Sequence, residues 1–192
     1  MDETMFLQAV KPMLNPQPRP ALLVVGQLVP RKGLFELLHA ASEVQREGYV
    51  FSLIFVGDGP LYDDLKRLVG NLGMKHVLFL PSHPPEVMPS IYRSGDSLVF
   101  PTLEDVWGLV VNEAMWCGLP VLASCYAGCT EELVPVENVV DPKNRESLKA
   151  GLRRAIEGKL VPPDLSRLLT IKEVGNRIIT DLQQILSREK AI

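Results

Sequence analysis

Two acidic residues within an otherwise apolar stretch are the first sign of chemistry in this sequence. In LEDVWGLVVNEAMWCGLPVLAS (103–124), Leu109, Val110, Val111, Ala114 and Met115 read as an almost wholly apolar helix, yet Asn112 and Glu113 stand inside it. A carboxylate in a mostly buried helix costs on the order of several kcal/mol unless something compensates it. A pair of ribose hydroxyls is such a partner, because each can donate to one carboxylate oxygen. Asp105 lies eight residues before Glu113, in the loop leading into the helix. Gly108 leaves the first-turn N–H groups of Leu109 and Val110 open to a phosphate. The same residues also fit a structural reading, with Glu113 satisfied by a buried arginine or by backbone and Asp105 capping the helix.

A second candidate is GQLVPRKG (26–33), where Gly26 and Gly33 bracket Arg31 and Lys32 ahead of a helix. Basic side chains at a helix N-terminus suit an anion such as a diphosphate. The loop is not a Walker A sequence, and a solvated turn with surface charges is the alternative. GDGPLY (57–62) resembles the start of a dinucleotide fingerprint but lacks the third glycine and a suitable acid about twenty residues on. Gly57 and Gly59 therefore read as a tight turn with backbone approach to a ligand. His39 falls in a helix and His76 at a strand start, which makes both structural or exposed. His83 sits in a loop where contact with a base is open. No metal-ligand spacing and no Asp-x-Asp pair is present, so no metal site is expected.

These residues need a scaffold, and the sequence describes one. Continuous apolar runs at 21–26, 50–57, 76–80, 97–100 and 120–124, with a weak one at 138–141, read as strands. Helical spacing fills the intervals: 33–48, a helix opened by Pro60, one near 85–93, one from Gly108, a short one at 128–134 and one at 144–157. Unbroken apolar strands alternating with helices describe a doubly wound α/β domain, a Rossmann-like parallel sheet of about six strands covered on both faces. In such sheets ligands bind beyond the carboxyl ends of the strands, where the candidate loops fall.

Residues 1–19, with four prolines between 11 and 20, read as a linker or lead-in, 20–158 as the α/β domain, and 159–192 as a helical tail. A helix through about 171–188 carries a stripe of Ile171, Val174, Ile178, Leu182 and Ile185 that needs a surface to cover. The 192 residues are 46% hydrophobic and 22% charged, which excludes a disordered tail or fibre. A net charge of −3 argues against general nucleic-acid affinity. No apolar stretch is long enough to span a bilayer, and no signal peptide is evident. Three cysteines, Cys117, Cys125 and Cys129, cannot all pair, which points to a reducing, cytoplasmic compartment. Cys125 and Cys129 read as buried small residues.

With these motifs in place, the chain resembles the nucleotide-sugar-binding, C-terminal half of retaining glycosyltransferases of family 4, the group 1 type, with the GT-B fold. VGQLVPRKG looks like that family's phosphate loop and FVGDGPLYDDLK like its second strand-turn-helix. SLVFPTLEDVWGLVVNEAMWCGLPVLAS looks like its acidic donor-site motif, and AGCTEELV (127–134) like its following glycine loop. The resemblance implies that Glu113 holds the ribose, that Asp105 lies near the donor sugar, and that Lys32, with Arg31 open, meets the diphosphate. Ser82 and His83 would lie beside the base. Departures are visible: Asp105 stands for a usual glutamate, Gln27 for an arginine, and Pro81 for a glycine. Only Gly128 remains of a usual glycine pair, and Trp116 replaces a small residue. The implied catalytic set is Asp105, Glu113 and Lys32. The implied binding set is Gly26, Gln27, Arg31, Lys32, Gly57, Gly59, Ser82, His83, Gly108, Leu109, Val110 and Glu113.

The implied donor is a nucleotide-diphospho-sugar of UDP or GDP type, met without a resident cofactor, a lysine and a helix dipole taking the place of a divalent cation. The resemblance further implies a sugar or lipid acceptor bound by an N-terminal domain not seen here, and peripheral membrane association stays open. Alone, the chain is expected to bind nucleotide weakly and transfer nothing. A stand-alone nucleotide-binding or docking module, or another GT-B-like nucleotide-sugar enzyme, stays open beside this reading.

Overall fold

The computed structural model describes residues 3–189. Six strands, β1 (Ala21–Val25), β2 (Ser52–Val56), β3 (Val77–Leu80), β4 (Ser97–Phe100), β5 (Val121–Ser124) and β6 (Val139–Val140), form one sheet in the order β3-β2-β1-β4-β5-β6. Every pairing is parallel. The apolar runs are continuous because β1, β2, β4 and β5 are buried on both faces. The two edge strands are the exceptions: Leu78 of β3 is exposed and Val139 of β6 is only partly buried.

Alternate strand residues feed two cores. Leu23, Val25, Ile54, Val56, Leu98 and Phe100 face one layer, made of α1 (Thr4–Leu7), α4 (Met88–Tyr92), α5 (Leu109–Trp116) and α6 (Thr130–Leu133). Leu22, Val24, Leu53, Phe55 and Val99 face the other, made of α2 (Leu34–Arg46), α3 (Tyr62–Leu72) and α7 (Arg145–Ile156). Leu34, Leu37, Leu38, Ala41 and Val44, the expected stripe of α2, are all buried.

Helix boundaries follow local chemistry. Asn144 caps α7 by accepting from the N–H groups of Glu146 and Ser147, and Gly73 ends α3 in the left-handed region. Pro60 does not open α3 directly. The chain makes one further turn, in which Tyr62 N–H reaches Gly59 O at 3.1 Å, before the helix starts. α4 is also shorter than the periodicity of 85–93 suggests, because Pro84 and Pro85 hold the chain in turns before it.

The lead-in is packed rather than free. Phe6 is buried against α4 and α5, Met13 N–H reaches Ser90 O at 3.0 Å, and Ser52 Oγ donates to Pro18 O at 2.7 Å. Asp2, at the start of the expected linker, lies outside the described residues. The final helix, α8 (Ile171–Glu189), begins in a reciprocal cap: Thr170 N–H donates to Glu173 Oε2 at 2.7 Å and Glu173 N–H to Thr170 Oγ1 at 3.1 Å. Its side chains Val174, Ile178, Ile179 and Leu182 are 41–55% exposed. Ile171 and Ile185, also in the expected stripe, lie outside the described side chains. Among the described residues no helix is long and apolar enough to cross a membrane.

Candidate functional site

The strand order reverses between β1 and β4, and the loops leaving these two strands flank the crevice where doubly wound sheets bind ligands. Loop 26–33 leaves β1 and loop 101–108 leaves β4. They are knit together: Arg31 O accepts from Leu103 N–H at 2.7 Å and from Thr102 Oγ1 at 3.0 Å. This fixes the main chain beside Lys32.

Lys32 and Asp105 meet across the crevice. The Lys32 ammonium donates to Asp105 Oδ2, and Arg31 Nη1 approaches the same oxygen at 3.5 Å. Both Lys32 and Asp105 side chains are only 13–14% exposed. Burial pushes the Asp105 carboxyl up. The Lys32 bond and charge, the Trp107 N–H at 3.3 Å and the Arg31 charge outweigh that and hold it below its ordinary range. The ammonium also lies 5.0 Å from the centre of the Phe100 ring. Asp105's own backbone is clamped by the next loop, Gly128 N–H donating to Asp105 O at 3.0 Å.

α5 opens at Gly108, whose φ of +97° suits glycine and whose Cβ position lies 2.6 Å from Phe100 Cε1. No side chain caps the helix, and the N–H groups of Leu109 and Val110 have no protein acceptor among the described residues. Leu109 is exposed, so the helix is less covered than its composition suggests. Asn112 is satisfied by Trp107, whose indole N–H donates to Asn112 Oδ1 at 2.9 Å. Glu113 takes one hydrogen bond, from the Tyr92 hydroxyl to Oε2 at 2.6 Å. Its other oxygen, Oε1, has no partner among the described residues. Burial raises the Glu113 carboxyl above its ordinary range, against the Tyr92 bond, which lowers it. Among the described residues neither an arginine nor the backbone satisfies this carboxylate.

Beside these groups lies a cavity of about 350 Å³ at the carboxyl ends of β1, β2 and β3, lined by Gly26, Gln27, Gly57, Ser82 and His83 over a floor of Val25, Val56 and Met88. Asp58, which sequence reasoning passed over, also lines it. Its Oδ2 accepts from the Ser82 hydroxyl and from the Ser82 N–H at 2.9 Å, and these bonds hold its carboxyl below the ordinary range. Its place between the two glycines of GDG was the available signal. His83 Nδ1 lies 2.7 Å from Pro81 O, so Nδ1 carries the proton and Nε2 is left for another partner.

Gly57 and Gly59 lie in a turn packed against the loop that leaves β1. A Cβ at Gly57 (φ +144°) would stand 2.0 Å from Gly26 O, and one at Gly59 would stand 2.5 Å from Leu28 O. Their close backbone approach is to the neighbouring loop, and Gly59 does not line the cavity. Among the cysteines, Cys129 is buried but Cys125 is exposed, because the turn after β5 directs it outward; all three are free.

A family model described as glycosyl transferases group 1 matches residues 8–168. The chain belongs to this family. A group 1 domain accounts for the order of the four motifs along the sheet. An uncharacterized glycosyltransferase of Methanocaldococcus jannaschii is 33% identical over 138 residues, 70% of this chain and 35% of that protein. A GDP-mannose-dependent alpha-(1-6)-phosphatidylinositol monomannoside mannosyltransferase of Mycolicibacterium smegmatis is 35% identical over 124 residues, 60% of this chain and 32% of that protein. The chain thus spans about a third of the length of these relatives.

Among solved structures, the C-terminal domain of a group 1 family glycosyl transferase from Francisella tularensis gives a TM-score of 0.68 at 22% identity, covering 82% of this chain and 88% of that one. Sucrose-phosphate synthase from Thermosynechococcus elongatus gives 0.74 at 21% identity, covering 98% and 51%. At these identities the likeness is one of fold, an α/β Rossmann-like domain of GT-B type. Within this group 1 domain a second cavity, of about 300 Å³, opens near Tyr49, Phe51 and His76 at the opposite end of the sheet. Among the described residues no cluster of three or more His, Cys, Asp or Glu groups is placed to hold a metal ion.

Proposed function

We propose that this chain is the donor-binding domain of a retaining glycosyltransferase that moves a sugar from a nucleotide-diphospho-sugar to an acceptor. Glu113 carries the most weight: a half-buried carboxylate on the helix that opens at the crevice, held by Tyr92 on one oxygen and without a partner among the described residues on the other, is suited to a pair of ribose hydroxyls. The base would sit in the cavity between Gln27, Ser82 and His83, and the diphosphate between Lys32, Arg31 and the N–H groups of Leu109 and Val110.

In the reaction the bond from the anomeric carbon to the diphosphate oxygen breaks with its electron pair staying on the leaving group, an acceptor hydroxyl oxygen bonds to that carbon, and the hydroxyl's proton passes to the released diphosphate. The α5 N-terminus, already aimed before the step begins, and Lys32 stabilise that developing charge. Lys32 must leave Asp105 to do so, which frees Asp105 Oδ2 for the hydroxyls of the sugar. Holding sugar and diphosphate from separate loops keeps the breaking bond aligned for the acceptor.

Retention of configuration comes from the family resemblance. The acceptor, a sugar or a lipid, would be bound by sequence outside these residues, and the exposed stripe of α8 would pack there. A relative whose name gives GDP-mannose as donor and a phosphatidylinositol mannoside as acceptor supports both a GDP-type donor and contact with a membrane surface. The free cysteines favour the cytoplasm. Calorimetric titration with UDP, GDP and ADP tests the reading. One nucleotide should bind saturably, and Glu113→Ala should weaken it at least about tenfold. Equal affinity in parent and variant would contradict it.

A further inference from the structure

Tyr92 has no place in the set of residues read from the sequence, yet it is the protein partner of the Glu113 carboxylate. It is fully buried, on a short helix of its own, and its hydroxyl lies 2.6 Å from Glu113 Oε2. Its ring is held edge-on by Phe6, with centroids 6.1 Å apart, and Phe6 stacks in turn on Trp116 of α5 at 6.2 Å. Arg93 fixes the same corner, Nη2 donating to Phe6 O at 3.0 Å and Nη1 to Cys117 Sγ at 3.2 Å. The residues flanking Tyr92 and Glu113 are thus tied together by α1, which leaves the phenol little freedom to move.

We propose that Tyr92 is a positioning residue for the donor: it fixes Glu113 by one oxygen so that the other is presented to the ribose. This rests on the reading of Glu113 as the ribose ligand. A tyrosine suits the task better than an arginine would. A guanidinium would occupy both carboxylate oxygens in a bidentate pair, whereas one hydroxyl engages a single lone pair and leaves the acceptor capacity that two sugar hydroxyls need. Holding the glutamate on folding also removes rotamer freedom that the ligand would otherwise have to freeze on binding. Burial, and then the Glu113 charge and hydrogen bond, push the Tyr92 phenol well above its ordinary range, so it stays a donor. Trp116, a departure from the family pattern, gains a role as the stacking partner of Phe6.

The test compares the tightest binder among UDP, GDP and ADP with its 2′,3′-dideoxy counterpart, by calorimetry on the full chain. The parent should prefer the ribose form, and Tyr92→Phe should lose about tenfold in affinity for it while binding the dideoxy form as the parent does. In a Glu113→Gln background Tyr92→Phe should add nothing further. Phe6→Leu, which loosens the ring but keeps the hydroxyl, should show a smaller loss confined to the ribose form. Should Tyr92→Phe not fold, the Phe6→Leu result decides alone. Unchanged preference for ribose in Tyr92→Phe, or an equal loss for both nucleotides, would overturn the role of Tyr92 while leaving Glu113 as ligand. If Glu113→Gln itself does not alter ribose preference, the underlying reading fails and this one with it.

Discussion

Under the proposed donor site, a carboxylate that already holds a lysine must release it when a diphosphate arrives, and this competition makes Asp105 testable. Asp105→Asn removes the rival anion, so the variant should bind nucleoside diphosphate a few-fold tighter than the parent in a titration, although the ion pair is lost. That loss should lower stability by about 2 kcal/mol, between the values for surface and buried pairs. Because the Asp105 carboxyl is depressed in the folded chain, its contribution is fully present above about pH 4, the unfolded value. It is lost as pH falls through the lower folded value, so parent and variant melting curves should converge in acid. Lys32, Asp105 and Glu113 stand out in the sequence as candidates because charge in an apolar or glycine-rich setting asks for a partner. Asp58 and Tyr92 do not, because their meaning lies in contacts to Ser82 and Glu113, 24 and 21 residues away, which no local pattern announces.

At the level of elements, the site depends on loops that touch backbone to backbone. Gly57 lets loop 57–61 lie directly against Gly26, with Gly26 N–H on Val56 O at 3.0 Å and Leu28 N–H on Asp58 O at 2.9 Å. Gly57→Ala adds a Cβ 2.0 Å from a carbonyl oxygen at a φ of +144°, so it should cost more than about 1 kcal/mol in denaturant melts. It should also weaken nucleotide binding by moving Gly26 and Gln27. The strands were readable because strands buried on both faces leave unbroken apolar runs, and α2 and α7 because their faces are amphipathic. The start of α3 and the length of α4 were not, since proline-rich turns look the same in sequence whether the helix begins at once or a turn later.

For the whole molecule, the sheet and its two cores are complete without α8, whose described apolar side chains stand open. Ending the chain at residue 169 should therefore shift the melting midpoint by less than about 3 °C and leave nucleotide affinity unchanged, if α8 serves a surface beyond this domain. The tail was legible as a helix in need of cover, but sequence periodicity carries no information on what covers it. Doubly wound sheets bind ligands at the carboxyl ends of their strands, while a second cavity opens at the other end beside His76. Amide chemical shifts of the isotope-labelled chain, followed during titration with UDP, GDP and ADP, separate the two. One nucleotide should shift Gly26, Lys32, Leu109, Val110 and Glu113 together in one saturable process and leave Lys75 and His76 in place. Shifts centred on His76 and Tyr49, with the α5 N-terminus unmoved, would contradict a donor site in the crevice.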